Sequence, residues 1–155
     1  KIILFGHSAG GQFVHRWALL GGKKNVDVIA VANSGWFTMP DRDIDYPYGI
    51  KNVGITDEEL GEAFAKPVIL FMGEKDVERK PPFRDTPEAD AQGMNRMERC
   101  TNYFRQCKAK AEELRVPFRW KLETVEGAAH QGVKMAEGAA AYIFGKSSED
   151  RNRRV

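Results

Sequence analysis

The chain has 155 residues, of which 42% are hydrophobic and 30% are charged, and its formal net charge is +2. This composition predicts one globular domain with a hydrophobic core, which we place at residues 1–146, followed by a polar tail at 147–155. The near-neutral charge, with no basic patch among aromatics, argues against nucleic acid as a partner. No apolar run approaches the ~18 residues that a membrane-spanning helix requires.

Short apolar runs alternate along the chain with segments of helical periodicity. The strands are predicted at 1–5, 26–32, 67–72 and 118–125, and the helices at 9–20, 56–64, 94–114 and 133–144. The first three strands are almost continuously apolar, which is typical of strands buried on both faces. The fourth strand partly alternates, which favours a sheet edge. Alternating strands and helices predict the α/β class, with a mostly parallel sheet and flanking helices.

Two features qualify this fold. The first strand would have an unpaired apolar outer edge, which is an aggregation hazard unless further strands cover it. We therefore expect a partial fold whose N-terminal strands are missing from this chain, and we expect the isolated chain to be poorly folded. Residues 34–65 are predicted to be a lid-like insertion, because they begin with a long loop rich in aromatics, Gly, Pro and Asp.

The first predicted strand runs directly into the first helix through Gly6-x-Ser8-x-Gly10. This strand–turn–helix context is the one that a nucleophile elbow requires. Flanking side chains would clash in so tight a turn, and the two glycines are expected to remove that clash. Ser8 is then the candidate nucleophile, and the backbone N–H of Ala9 at the helix start is the candidate oxyanion donor.

A serine hydroxyl needs a base to take its proton, and the base needs an acid partner. In α/β-hydrolases these follow in the order Ser, Asp or Glu, then His, each in a loop after a strand. The loop after the third strand offers Asp76, with Glu74 and Glu78 as rivals, and the loop after the fourth offers His130. The sequence therefore predicts Asp76 as the acid and His130 as the base for Ser8.

The remaining histidines and cysteines are given structural roles. His7 is expected to pack beside the nucleophile and to lie at the substrate site, and His15 is expected to be exposed or half-buried on a helix. Cys100 and Cys107 are seven residues apart in one helix, about 10 Å at 1.5 Å per residue. That distance is too long for a disulfide, so both are predicted to be small buried thiols.

Four aromatic residues follow the second strand, on the side of the sheet where ligands bind in α/β folds. They are Trp36, Phe37, Tyr46 and Tyr48. Trp36 and Phe37 are the candidates for an aromatic substrate wall. Packing of this loop on itself is the equally weighted alternative.

The chain also resembles the poly(3-hydroxybutyrate)-depolymerase-like branch of the α/β-hydrolases. The similarity lies in GHSAGGQFVHR at 6–16, ANSGWFTMP at 32–40, YPYG at 46–49, GEKD at 73–76 and GAAH at 127–130. The resemblance implies a serine esterase without a cofactor, with Ser8, Asp76 and His130 as nucleophile, acid and base. It also implies that the absent N-terminal half holds the second oxyanion donor. Whether the ester is a polymer or a small molecule stays open.

Three other functions stay open. One is a peptidase or acyltransferase on the same triad, and another is a hydrolase-fold module without catalysis. The third is a metal-dependent enzyme, for which Asp41, Asp43 and Asp45 superficially resemble the start of a calcium loop. The glycine and glutamate that such a loop needs at its sixth and twelfth positions are replaced by Tyr46 and Asn52.

Overall fold

The computed structural model describes residues 1–21 and 25–145. The predicted tail at 147–155 lies outside the described residues. Four parallel strands form one sheet in the order β1-β2-β3-β4. The strands are β1 (Ile3–His7), β2 (Val28–Ala32), β3 (Val68–Gly73) and β4 (Lys121–Val125), and the helices are α1 (Ala9–Leu20), α2 (Asp57–Phe64), α3 (Pro87–Asp90), α4 (Arg96–Glu113) and α5 (Gly132–Phe144).

The sheet separates two apolar layers because successive side chains of a strand point to opposite faces. In β2, Ile29 and Val31 face the larger core, which α1, α2 and α4 cover. Ala30 and Ala32 face the smaller core, which α5 covers. The predicted α/β class with a parallel sheet and flanking helices is therefore confirmed.

The two edges of the sheet differ. All six residues of β3 are buried, whereas every residue of β4 is exposed or half-buried, as predicted for an edge strand. The prediction that β1 is buried on both faces is wrong for this chain. Phe5 is 37% exposed, because among the described residues β1 pairs only with β2 and its other edge has no neighbour.

Local sequence signals account for the helix starts. At α2, Thr56 and Glu59 form a capping box, in which each side chain bonds to the other residue's backbone N–H. The short helix α3 was not predicted; Thr86 caps it and Pro87 occupies its first turn, where a missing N–H costs nothing. Among the described residues, no helix is long and apolar enough to cross a membrane.

The register of the sheet brings the segments that follow the four strands to one end of the sheet, where the carboxyl ends of the strands lie. His7 lies beside Ala32, Ala32 beside Phe71, and Gly73 beside Val125. Because parallel strands end on the same side, the residues that follow them must lie close together there. The candidate site is at this end of the sheet.

Candidate active site

Ser8 occupies a sharp turn between β1 and α1. Its backbone has φ 57° and ψ −116°, a conformation that non-glycine residues adopt only at a cost of about 1–3 kcal/mol. The turn is held because the Ser8 N–H donates to Ala32 O at 2.9 Å, which continues the pairing of β1 with β2. The surrounding sheet therefore supports a strained residue at the start of a helix.

Glycines make this turn possible, though one of them differs from the prediction. A Cβ on Gly6 would collide with Gly10 O and would lie 2.7 Å from Val14 Cγ2. A Cβ on Gly11 would lie 2.6 Å from Ser34 Oγ, whereas one on Gly10 would meet nothing within 4 Å. The flanking glycines that remove clashes are thus Gly6 and Gly11, because Gly10 is on the open side of α1.

The three predicted residues form a continuous hydrogen-bonded chain. His130 Nε2 is 2.9 Å from Ser8 Oγ, and His130 Nδ1 is 2.8 Å from Asp76 Oδ2. The carboxylate can only accept, so Nδ1 carries the proton and Nε2 is left to accept from the serine hydroxyl. The Asp76 side chain is 2% exposed and that of His130 is 25% exposed. The Asp76 carboxylate is therefore enclosed, while the His130 imidazole reaches the surface.

Of the three candidate carboxylates, Asp76 is the one that bonds to His130. Glu74 instead accepts from the Gly127 N–H at 2.7 Å, and Glu78 pairs with Lys80. The second oxygen of Asp76 accepts from Arg96 Nη1 at 3.1 Å, and both of these side chains are buried. Arg96 compensates the charge of the enclosed carboxylate, which would otherwise be costly to bury. Sequence reasoning did not identify Arg96, because it lies at the start of α4 without a distinctive pattern.

His7 lies against His130. Its ring centroid is 4.8 Å from that of His130. A Cβ on Gly132 would lie 3.3 Å from His7 Nδ1, so the ring fits closely over the start of α5. Burial first, and then the nearby His130, lower the pKa of His7 and favour its neutral form. It therefore packs beside the site, as predicted; a role in substrate binding stays a prediction.

His15 is not where the sequence analysis placed it. It is fully buried, with Nδ1 donating to Gly11 O at 3.0 Å and Nε2 accepting from the Thr38 N–H at 3.0 Å. Its ring lies between Phe37 and Tyr103. The prediction of an exposed or half-buried helical histidine is wrong, because the loop after β2 folds back over α1 and covers it.

The same loop determines the places of the two candidate wall residues. Phe37 has no exposed surface, stacks on Tyr103 and is held by Gln92 through both its backbone N–H and its carbonyl. Trp36 is also buried, with the guanidinium groups of Arg16 and Arg84 over its ring. The packing alternative therefore describes both aromatics.

A cavity of about 550 Å³ lies beside the hydrogen-bonded chain. Asp76, His130 and Arg96 contribute to its lining, together with Pro81 and Pro82 from the loop after β3. Its size is that of an ordinary small-molecule site. Among residues 1–21 and 25–145, no group of three or more His, Cys, Asp or Glu side chains is arranged to hold a metal ion.

Two solved structures resemble this arrangement over nearly the whole chain. Poly(aspartic acid) hydrolase-1 from Sphingomonas sp. KT-1 superposes with a TM-score of 0.87 at 35% identity, over 90% of this chain and 53% of that one. LpqC, a poly(3-hydroxybutyrate) depolymerase from Bordetella parapertussis, superposes with a TM-score of 0.83 at 31% identity, over 97% of this chain and 52% of that one.

The chain has a partial α/β-hydrolase fold. It spans about half the length of each of these two structures. The resemblance to the poly(3-hydroxybutyrate)-depolymerase-like branch, predicted from five sequence stretches, is confirmed. Comparison with protein-family models and with curated proteins finds no match.

Proposed function

We propose that this chain is the catalytic segment of a serine hydrolase that cleaves carboxylic esters. One observation carries the proposal: the unbroken hydrogen-bonded chain from Ser8 through His130 to the buried Asp76. A base oriented by a carboxylate and aimed at a serine hydroxyl is the arrangement that activates serine as a nucleophile. The two hydrolases that the chain resembles support the same class of reaction.

The mechanism follows from the donors and acceptors of the three side chains. His130 Nε2 takes the hydroxyl proton as Ser8 Oγ attacks the ester carbonyl, and Asp76 stabilises the imidazolium that forms. The carbon–oxygen bond to the alcohol then breaks, and the alcohol leaves with the proton from Nε2. Water enters, gives its proton to Nε2 and attacks the acyl-enzyme, which releases the acid and restores Ser8. No cofactor takes part.

The oxyanion is stabilised by the start of α1. Backbone N–H groups in the first turn of a helix have no acceptor within that helix. Ala9 provides such a group next to the nucleophile, and the first helical bond back to Ser8 O comes from Gln12. Losing one donor of an oxyanion hole costs about 10²–10³ in kcat. We place the second donor outside this chain.

The rest of the fold is proposed to cover β1. Large apolar side chains are exposed on this strand, just before it and on the helices beside it, namely Phe5, Ile2, Phe13, Val133 and Phe144. Exposed apolar surface next to an open strand edge is typical of a contact with further strands. Such strands would also bring the second oxyanion donor to the site.

Amide hydrolysis is the second candidate. The first of the two similar structures is a poly(aspartic acid) hydrolase, and the name of its polymer denotes a chain of amide bonds. The same three side chains serve either reaction, since both pass through a tetrahedral oxyanion. Transfer of the acyl group to an acceptor other than water is the corresponding acyltransferase alternative.

The test uses the protein that includes the strands proposed to cover β1, with matched ester and amide substrates. We expect short p-nitrophenyl esters to be cleaved faster than the corresponding p-nitroanilides, and Ser8→Ala to abolish covalent labelling by a fluorophosphonate. Asp76→Asn is expected to lower kcat by about 10⁴-fold. Equal ester and amide rates would favour the peptidase alternative, absence of labelling the non-catalytic one, and loss of activity in EDTA the metal-dependent one.

A further inference from the structure

Asn33 stands at the end of β2 in an unusual conformation. Its φ of 44° lies in the left-handed region, where asparagine is one of the few side chains found regularly. It is 4% exposed, and its backbone N–H donates to Phe71 O at 3.1 Å. A polar side chain so enclosed must find partners within the protein.

Both ends of the Asn33 amide have such partners, and each belongs to a different loop of the candidate site. Asn33 Oδ1 accepts from the Gly73 N–H at 2.8 Å, and Nδ2 donates to Ala129 O at 3.0 Å. Gly73 begins the turn that carries Asp76, whose N–H returns to Gly73 O at 3.0 Å. Ala129 is the residue before His130.

These two loops are in close contact, and no side chain would fit between them at Gly73. A Cβ on Gly73 would lie 2.7 Å from Ala128 O and 2.9 Å from Ala129 O. The Lys75 N–H also donates to Ala128 O at 2.8 Å. The Asn33 amide, at the end of β2, joins the same two loops by its bonds to Gly73 N–H and Ala129 O.

We propose that Asn33 is a positioning residue, whose amide fixes the loop of Asp76 against the loop of His130. The inference rests on the function proposed above. The His130–Asp76 bond of 2.8 Å depends on how these two loops are placed. Displacement of a catalytic group by about 1 Å can cost about 10²-fold in rate. Asn33 does not itself line the cavity, although its partner Ala129 does. The hydrogen bonds of its amide go to the two loops and not to a side chain of Ser8, Asp76 or His130, so it acts through the loops.

Two substitutions separate the amide from the backbone conformation. Asn33→Gly removes the side chain but accepts a left-handed φ without strain, so its defect reports the amide alone. Asn33→Asp keeps an acceptor for the Gly73 N–H but loses the donor, and it places a carboxylate oxygen against Ala129 O. We expect both variants to lower kcat by about 10- to 100-fold while KM changes by less than about twofold.

Gln92→Ala is the matched control. Gln92 is also a buried amide with two backbone partners, the N–H and the carbonyl of Phe37, at 2.8 and 2.7 Å. Its amide bonds to Phe37 and to neither of the two loops that Asn33 joins. We expect Gln92→Ala to lower the Tm at least as much as Asn33→Gly does, while its kcat stays within about threefold of the unaltered protein.

A proton NMR spectrum gives a readout that needs no turnover. The Nδ1 proton of His130 is hydrogen-bonded to a carboxylate, and such protons resonate far downfield of the amide region. We expect this resonance to be present in the unaltered chain and in Gln92→Ala, and to be lost or shifted in Asn33→Gly and Asn33→Asp. Wild-type kcat and an unshifted resonance in Asn33→Gly would overturn the inference, as would a kcat loss equal to that of Gln92→Ala.

The same experiment distinguishes failure of the proposed function. If the protein that includes the strands proposed to cover β1 cleaves no ester and its Ser8 is not labelled by a fluorophosphonate, the proposed function is wrong. The resonance of His130 would then still report whether Asn33 holds the two loops together.

Discussion

His15 should make the stability of this protein depend on pH. The ring is fully buried, and both of its nitrogens are occupied, one by Gly11 O and the other by the Thr38 N–H. A second proton would take away the acceptor for Thr38 and would place a charge among aromatic rings. Burial accordingly lowers the pKa of His15 from 6.5 to about 3.

The sign and the size follow from the two pKa values. Between pH 6.5 and 3 the unfolded chain binds a proton at His15 that the folded chain does not, so lowering the pH favours unfolding. The slope approaches about 1.4 kcal/mol per pH unit. From pH 7.5 to pH 5.0, this one side chain is therefore expected to remove about 2 kcal/mol from the free energy of unfolding. That figure hardly changes as long as the folded pKa lies well below 5.

The measurement is urea denaturation, at both pH values, of the protein that includes the strands proposed to cover β1 and of its His15→Gln variant. Glutamine offers a donor and an acceptor but does not titrate, and every other ionisable group is common to the two proteins. We expect His15→Gln to be less stable at pH 7.5 because the glutamine amide fits this enclosed site less well. At pH 5.0 the difference in unfolding free energy should narrow by about 2 kcal/mol. A difference that is the same at both pH values would refute the reasoning.

Two further predictions concern packing. Gly11→Ala should destabilise the protein by about 1–3 kcal/mol, because the new methyl group would lie 2.6 Å from Ser34 Oγ and 2.9 Å from Ala32 O. The control Gly10→Ala gains the same helix propensity, and its methyl group lies in open space, so it should not destabilise the protein. Equal Tm values for the two variants would contradict this account. Cys100 and Cys107 should react with Ellman's reagent only after denaturation. Both thiols are buried, and burial raises the pKa of Cys100 to about 12 and that of Cys107 well above its usual value. Rapid labelling of the native protein at pH 8 would show that the thiols are accessible.

The elements with local causes could be predicted from the sequence. Continuous apolar runs identified β1, β2 and β3, and helical periodicity identified α2, whose start is stabilised by the capping box of Thr56 and Glu59. That Ser8, Asp76 and His130 lie close together could also be predicted, because each follows a strand and parallel strands end on the same side of the sheet. The structure brings those three side chains together. Helix α3 was missed because it has only four residues, too few to show a period.

Residues whose surroundings depend on distant parts of the chain could not be predicted. His15 and Phe37 are buried because the loop after β2 returns across α1, and Gln92 holds that loop from 55 residues away. Nothing in the pattern around either residue shows this cover. Asn33 likewise bonds to residues 40 and 96 positions further on. Its role is visible only once the strands are placed in order.

The order of the strands explains why such a residue is needed. Ser8 follows β1 and His130 follows β4, three strand spacings apart, or about 14 Å. Their side chains nevertheless meet at 2.9 Å, so the loop after β4 must lie across the end of β3. Gly73 allows this because it has no side chain where Ala128 and Ala129 pass. β4 does not pair with β2, and the Asn33 side chain, through its bond to Ala129 O, ties that loop to the strand that holds Ser8 in place.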